Sequence, residues 1–283
     1  MFDTYADRNW LWAAAGFYLV GFLLGTWSIL RGGRPSGAAN TVLILIGYGA
    51  QLIGLGLRGK AVQGCPIGNT FEIFQFTAWS AVTLYFMIGV TFRSSLLGYF
   101  ASCLSAALTI VSLISPGWDA TRRTGIFGGN ALVELHAAVA LFSYGVFALL
   151  ALTSVMFLLR HFSLKSKQLG GMFSFLPSII DLDQIGVRLL VSGVVMLGVS
   201  LVMGLFFWAR GLAAVDAGKF IAPIFVWLAY SSTLGLRLRG QLISKRFSWT
   251  CVVLFPLALL SLAFVDASRH PITPPAKKAV SIR

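Results

Sequence analysis

The chain has 283 residues, of which 57% are hydrophobic and only 11% are charged. Soluble domains carry about 25% charged residues, because their surface must face water. This composition excludes a pair of soluble domains, a disordered chain and a secreted disulfide scaffold, and it indicates a polytopic membrane protein.

The formal net charge of +13 does not indicate a nucleic-acid partner. The 22 Lys and Arg residues are spread over short connecting segments and form no nucleic-acid-binding motif. In a membrane protein such charges set the topology and meet anionic lipid headgroups. The three cysteines, Cys65, Cys103 and Cys251, form no C-x-x-C pair, which argues against thiol–disulfide exchange, a zinc site or a covalently attached haem.

Eight apolar runs have the length of a membrane span, about 20 residues each. In chain order they cover residues 10–30, 39–57, 72–92, 95–114, 131–159, 185–208, 219–237 and 247–265. The sequence therefore predicts an all-α bundle of about eight transmembrane helices over residues 10–265. An external N-terminus (1–9) precedes it, a segment at 160–184 lies partly on the membrane surface, and a flexible basic tail (266–283) follows.

The orientation of the bundle follows from the positive charges in its loops. With the N-terminus outside, eleven positive charges are cytoplasmic: Arg31, Arg34, Arg93, Arg160, Lys165, Lys167, Arg188, Arg237, Arg239, Lys245 and Arg246. Seven are external before the tail: Arg8, Arg58, Lys60, Arg122, Arg123, Arg210 and Lys219. The bias predicts that both termini lie outside, although the tail adds external positive charges.

His136 is the most informative of the few ionisable residues in the apolar runs, because it lies a few residues into the fifth span. Neutral imidazole is a common axial ligand of haem iron, but a histidine here could equally hydrogen-bond between helices or reach to the interface. Glu134 lies about 200° around the helix from it, so the two do not form a metal pair on one face.

Few other residues could complete an iron site with His136. His161 lies about 37 Å further along a continuous helix, at the opposite membrane face. His270 belongs to the tail, which makes a poorly preorganised ligand. Met203 stands near the outer end of the sixth span and carries a thioether, although an ordinary core methionine explains it as well.

The segment GCPIGNTFEIFQFTAW at 64–79 opens the third span with a shaped turn. Glu72, Gln75 and Trp79 follow at helical spacings that place them on one face. We expect this face to form the wall of a cavity beside the fifth helix, in which Glu72 orients an imidazole or a haem propionate partner. Helix-dipole compensation also explains Glu72, and interfacial belts collect tryptophans such as Trp227 in any case.

The segments GCPIGNTFEIFQFTAW (64–79) and LHAAVALFSYGVFALLALTSVMFLL (135–159) resemble the cytochrome c assembly protein family of CcsA-like, HemX-like and YpjD-like haem-handling membrane proteins. The resemblance covers about residues 10–265. Two features of the family pattern differ here. The tryptophan-rich external loop is reduced to residues 208–219, and the second external histidine falls near Arg237, where there is none. The chain is therefore more similar to the short HemX-like and YpjD-like members.

The resemblance implies haem handling at the outer side of a bacterial inner membrane. Haem b would be held transiently, with His136 matching the family's external histidine and with Glu72, Gln75, Trp79, Met203 and Trp227 as further candidate contacts. The implied partners are haem, a second membrane assembly subunit, apocytochrome c and membrane lipid.

Two functions from different classes compete on this sequence. The first is a component of cytochrome c biogenesis that binds or passes haem, with no independent enzyme activity and at most a haem-delivery role in a synthase-type complex. The alternative is a non-catalytic membrane scaffold or regulator of haem metabolism that holds no haem. A catalytic constellation is absent from the spans, and a transporter would need mid-membrane charges and interrupted helices.

Overall fold

The computed structural model describes residues 6–31, 36–89, 95–120, 122, 124, 130–165, 177–209 and 218–267. Over these ranges the chain forms eight α-helices and one 3-10 turn, with no strand. The helices are α1 (Ala6–Leu30), α2 (Gly37–Val62), α3 (Thr70–Gly89), α4 (Ser95–Ile114), α5 (Ala131–Lys165), α6 (Ile179–Ala209), α7 (Gly218–Leu238) and α8 (Ser244–Ala267), and the 3-10 turn covers Pro116–Asp119. The prediction of an all-α polytopic membrane bundle is confirmed.

Seven of the eight described helices are long and apolar enough to cross a membrane, and α3 is the exception. Its buried residues include Glu72, Gln75, Thr77 and Ser80. It runs antiparallel to α2, because Glu72 lies beside Arg58 near the end of α2 and Tyr85 lies beside Thr41 near its start. Since its 20 residues extend about 30 Å, α3 spans the bundle as an interior helix that its neighbours shield from lipid.

Helix α5 forms the centre of the bundle, with almost every residue from Leu141 to Leu158 buried. Helices α1, α2, α3 and α4 pack together on one side of it, and α6, α7 and α8 pack on the other. Glycines permit the closest approaches. A Cβ at Gly145 would lie 2.7 Å from the Ser80 hydroxyl, and one at Gly193 would lie 2.4 Å from the Phe147 ring. Two groups of helices are thus joined through α5.

Helix α2 is longer than the sequence predicted, which has a consequence for Arg58. The span was expected to end at residue 57, before a loop charge. Instead the helix continues to Val62 and ends where Gln63 adopts a left-handed conformation with φ 55°. Arg58 is fully buried, so it is not one of the loop charges that face headgroups.

The connection between the fifth and sixth spans also differs from the prediction of a surface segment at 160–184. Helix α5 continues to Lys165, and α6 begins at Ile179. Ser178 stabilises this start, because its Oγ accepts a hydrogen bond from the Asp181 amide at 3.1 Å and donates one to the Asp181 carboxylate at 2.6 Å. Residues 166–176, most of the 208–219 loop and the tail from 268 lie outside the described residues.

Candidate functional site

His136 is held in place by a reciprocal pair of contacts between α5 and α6. Its Nδ1 lies 2.7 Å from the backbone oxygen of Ser200 and 3.0 Å from the Ser200 hydroxyl. That hydroxyl in turn donates to the backbone oxygen of His136 at 3.0 Å. Ser200 is buried and His136 is half-buried, so the contact fixes the ring at the edge of the bundle.

This geometry determines which nitrogen of the ring carries the proton in the neutral form. A carbonyl oxygen can only accept, so the short contact with Ser200 requires a proton on Nδ1. The other nitrogen, Nε2, then carries the free lone pair, and no described residue forms a hydrogen bond with it. A backbone carbonyl that orients Nδ1–H is the usual second-shell arrangement of histidines that bind metals through Nε2.

Two further predicted residues, Met203 and Trp227, lie on or beside α6, but only Met203 lies on the side that faces His136. Met203 lies three residues after Ser200, on the same side of α6, and is half-buried. Trp227 of α7 donates its indole N–H to the Val194 oxygen of α6 at 3.0 Å. Its indole nitrogen lies 3.0 Å from where a Cβ of Gly198 would stand, so the nitrogen-bearing edge of the ring packs against α6. Gly198 is about 200° around the helix from Ser200, so this contact is on the face of α6 away from His136.

Glu72 belongs to a different environment, which is centred on the buried guanidinium of Arg58. Its Oε1 accepts a hydrogen bond from Arg58 Nε at 2.7 Å. Arg58 Nη1 lies 2.9 Å from Asp7 of α1, and both of its terminal nitrogens contact Asp119 of the 3-10 turn. The guanidinium also stacks over the ring of Phe71, 4.9 Å from its centroid. One arginine thereby joins α1, α2, α3 and the 3-10 turn.

Two partly exposed arginines complete this group, which we call the Arg58 cluster: Asp7, Arg8, Arg58, Glu72, Asp119 and Arg122. Arg8 contacts Asp119 at 3.0 Å, and Arg122 contacts Asp7 at 3.1 Å. Three positive charges thus face three carboxylates, and the cluster is electrically neutral. Ionised groups can be buried at the edge of a membrane only when they are balanced in this way.

Gln75 and Trp79 lie inside the bundle below the Arg58 cluster. The side chain of Gln75 bonds to Gln51 of α2 at 3.0 Å and to Ser112 of α4 at 2.7 Å. Trp79 is half-buried and stacks on Tyr48 of α2, with 5.9 Å between the ring centroids. We expected this face of α3 beside α5, but the hydrogen bonds of Glu72 and Gln75 with described residues run to α2, α4 and the turns beside them.

The loop from Gly64 to Asn69 connects the Arg58 cluster with the start of α5. Glu72 accepts the Gly68 amide at 2.6 Å, and the Glu134 carboxylate lies 2.9 Å from where a Cβ of Gly64 would stand. Burial, together with the nearby carboxylates of Glu134 and Glu72, raises the pKa of the Cys65 thiol to about 11. Cys65 therefore stays protonated and unreactive at neutral pH.

Arg237 lies on the opposite face of the bundle from His136. It ion-pairs with Asp183 near the start of α6, whereas His136 contacts Ser200 near the end of that helix. Seventeen residues of α6 separate those contacts by about 26 Å. The expectation that an external histidine position falls near Arg237 was therefore wrong, because the C-terminal end of α7 reaches the other face.

Sequence reasoning missed the Arg58 cluster because it treated Arg8, Arg58 and Arg122 as separate loop charges. A usable indication was present. Arg58 stands at the end of the second apolar run, and Ala61 and Val62 follow it after only Gly59 and Lys60. Asp7, Glu72 and Asp119 each stand at a helix end that the sequence predicts to be external. Opposite charges at ends that share one membrane face are candidates for pairing.

Comparison with known proteins places these helices in a family. The model of the family described as Cytochrome C assembly protein matches residues 67–270, so α1 and α2 precede the matched range. The chain is 28% identical to Protein HemX of Bacillus subtilis (strain 168) over 236 residues, 81% of each chain. It is 29% identical to Protein HemX of Brevibacillus brevis over 209 residues, 72% of this chain and 76% of that protein. This multi-pass membrane protein therefore belongs to the cytochrome c assembly protein family.

Proposed function

We propose that this protein is a component of cytochrome c biogenesis in the bacterial inner membrane, where it binds or passes haem at the outer face through His136. Membership of the cytochrome c assembly family and the similarity to two proteins named HemX support the haem-related role. His136 lies at the face where α1 begins, which the loop charges predict to be external.

The observation that carries the proposal is the fixed tautomer of His136. The Ser200 carbonyl holds the Nδ1 proton at 2.7 Å, which leaves Nε2 as a preoriented ligand with its lone pair free. Haem suits this donor set, because the porphyrin supplies four nitrogens and the protein needs to add only one or two ligands.

The other residues of this region support the same cargo. Met203, one helical turn beyond Ser200, is the candidate second ligand within the described chain, since a thioether binds haem iron. Trp227 remains a predicted contact, although it packs on the face of α6 away from Ser200. Glu72, Gln75 and Trp79 remain predicted contacts, although the structure gives the first two other hydrogen-bond partners.

Haem b bound in this way is held transiently, as cargo. The chain itself supplies binding and orientation, so we assign it no independent enzyme activity and at most a haem-delivery role in a synthase-type complex. A second membrane assembly subunit and an apocytochrome c are then its partners, and either could provide the missing axial ligand.

The His136→Ala variant tests this function directly. Purified protein in detergent, titrated with haem b, should develop a Soret band at about one haem per chain. His136→Ala should lose most of that absorbance, because no other described residue offers an oriented imidazole at this face. His161→Ala is the matched control and should keep full haem content, since His161 lies about 37 Å away along α5.

The same titration has outcomes that contradict the proposal. Full haem content in His136→Ala excludes this histidine as the ligand. Wild-type protein that binds no haem excludes a haem-holding role and leaves the scaffold or regulator function.

The topology provides a separate prediction. We expect both termini outside, because we infer that α3 crosses the membrane as an interior helix beside the seven apolar spans, and because the loop charges favour an external N-terminus. A periplasmic-active reporter fused after Arg283 should be active, and a cytoplasm-active reporter fused there should be silent. The reverse pattern would place His136 at the cytoplasmic face and remove the outer-face part of the proposed function.

A further inference from the structure

Helix α4 presents a row of hydroxyl groups to the interior of the α1–α4 group. Ser102, Ser105, Thr109 and Ser112 follow one another at spacings of three, four and three residues, which is one face of a helix. Each is at most 1% exposed. Each hydroxyl inside a membrane bundle needs a hydrogen-bond partner, which serine and threonine often find in the backbone oxygen of the preceding turn or on a neighbouring helix.

At the end near the Arg58 cluster, this row is fully hydrogen-bonded. Ser112 accepts from Gln75 at 2.7 Å and donates to the Thr109 oxygen at 2.8 Å. Gln75 is bonded to Gln51, and Gln51 accepts from the Tyr18 hydroxyl at 2.9 Å. A continuous set of protein hydrogen bonds therefore leads from α4 to α3, α2 and α1.

At the other end the row contacts Asn40, near the start of α2. Ser102 donates to Asn40 Oδ1 at 3.1 Å. Gly21 of α1 and Gly98 of α4 make room for this amide, because a Cβ on either would lie within 3 Å of an Asn40 side-chain atom. Asn40 and Arg58 are 18 residues apart on α2, about 27 Å. The polar groups therefore extend across most of the membrane thickness.

Between these two ends the set of hydrogen bonds between protein groups is interrupted. Ser105 Oγ, Thr109 Oγ1 and Asn40 Nδ2 are buried and have no hydrogen-bond partner among the described residues. Other buried threonines behave differently: Thr77 and Thr153 each donate to the backbone oxygen four residues earlier, at 2.8 Å. Two unpartnered hydroxyls one turn apart on α4, with the unpartnered Asn40 amide beyond Ser102, therefore indicate hydrogen-bond partners that the described residues do not supply.

We propose that water molecules occupy this interruption and complete a hydrogen-bonded path from Gln75, which lies next to the Arg58 cluster, to Asn40. One water between Thr109 and Ser105 and another between Ser105 and Ser102, about one turn apart in each case, would satisfy both hydroxyls and lead to Asn40, which Ser102 already contacts. A further water beside Gly98 would satisfy the Asn40 amide, whose Nδ2 faces that glycine. Buried waters in proteins bind at such sites, where two to four polar partners converge. The path hydrates the interior of the α1–α4 group and is separate from His136.

The isosteric variant Thr109→Val shows whether the interruption is hydrated or dry, because its Tm should fall in the first case and rise in the second. If water is bound, the variant removes one of its partners, and the Tm of the purified protein should fall by about 2–4 °C. If the hydroxyl is dry, its loss relieves an unsatisfied buried group, and the Tm should rise. Thr153→Val is the matched control, because its hydroxyl bonds only to its own helix, and its Tm should stay close to that of the wild type.

A direct measurement accompanies the stability test. In water-edited solid-state NMR of the protein in lipid bilayers, the Asn40 side-chain amide should receive magnetisation from water. The indole N–H of Trp227, which is bonded to a backbone oxygen, is the comparison group. Transfer to Asn40, together with a fall in Tm for Thr109→Val, supports the water path. A rise in Tm for Thr109→Val, or no water transfer to Asn40, overturns it.

Discussion

The Arg58→Met variant should lose about 3–5 kcal/mol of stability, because removing one member of a buried ion group leaves its partners uncompensated. Arg58 is fully buried, and three carboxylates depend on its guanidinium. Methionine occupies a similar volume, so the loss comes from charge more than from packing. In detergent, thermal unfolding should shift down by roughly 10 °C.

Two further variants show whether the cause is electrostatic. Lys60→Met removes an exposed charge two residues away on the same helix and should leave the Tm almost unchanged. Adding Glu72→Gln to Arg58→Met removes one of the uncompensated carboxylates and should recover part of the lost stability. An Arg58→Met protein as stable as the wild type would show that Arg8 and Arg122 alone balance the three carboxylates.

The bundle itself was predictable because a membrane imposes length and composition on every helix that crosses it. The range of α4 matches the predicted 95–114, where a Ser-Pro-Gly break follows directly. The ends of α2 and α6 were harder to place. Arg58 and Asp183 are charged residues that stay helical because they have ion-pair partners on other helices, and such partners cannot be read from one helix alone.

The candidate site was predictable in its residues but not in their grouping. Helical spacing placed Glu72, Gln75 and Trp79 on one face of α3, and they do lie in or near the interior. Which neighbour that face meets depends on how α1 and α2 pack, and the sequence carries no periodic pattern for that. His136 was identified as an isolated polar residue, but its Ser200 contact comes from a helix 64 residues away.

The neutral Arg58 cluster and the His136 contact share one face of the bundle but lie on different sides of α5. The Gly64–Asn69 loop connects them, because Glu72 holds the Gly68 amide and Glu134 packs against Gly64. A disturbance of the Arg58 cluster can therefore reach the start of α5 through this loop. Measuring the haem content of Arg58→Met beside its Tm separates a local effect on His136 from general unfolding.

The contact of α3 with α5 should tolerate no side chain at Gly145. A Cβ there would lie 2.7 Å from Ser80 Oγ, 2.8 Å from Ser80 Cβ and 3.1 Å from the backbone nitrogen of Ala81. The backbone atom cannot rotate away, so Gly145→Ala must push the two helices apart. Overpacking of this kind costs about 1–3 kcal/mol, and we expect thermal unfolding to fall by several degrees.

The appropriate control is Gly49→Ala on α2, where a Cβ would meet nothing within 4 Å. That variant should be neutral or slightly stabilising, since alanine favours a helix more than glycine does. Combining Gly145→Ala with Ser80→Gly removes the two side-chain contacts and leaves only the one with Ala81, so part of the stability should return. Equal Tm values for Gly145→Ala and Gly49→Ala would mean that α3 and α5 lie further apart than the structure places them. The close contact at Gly145 could then no longer be used as evidence that α3 is an interior helix.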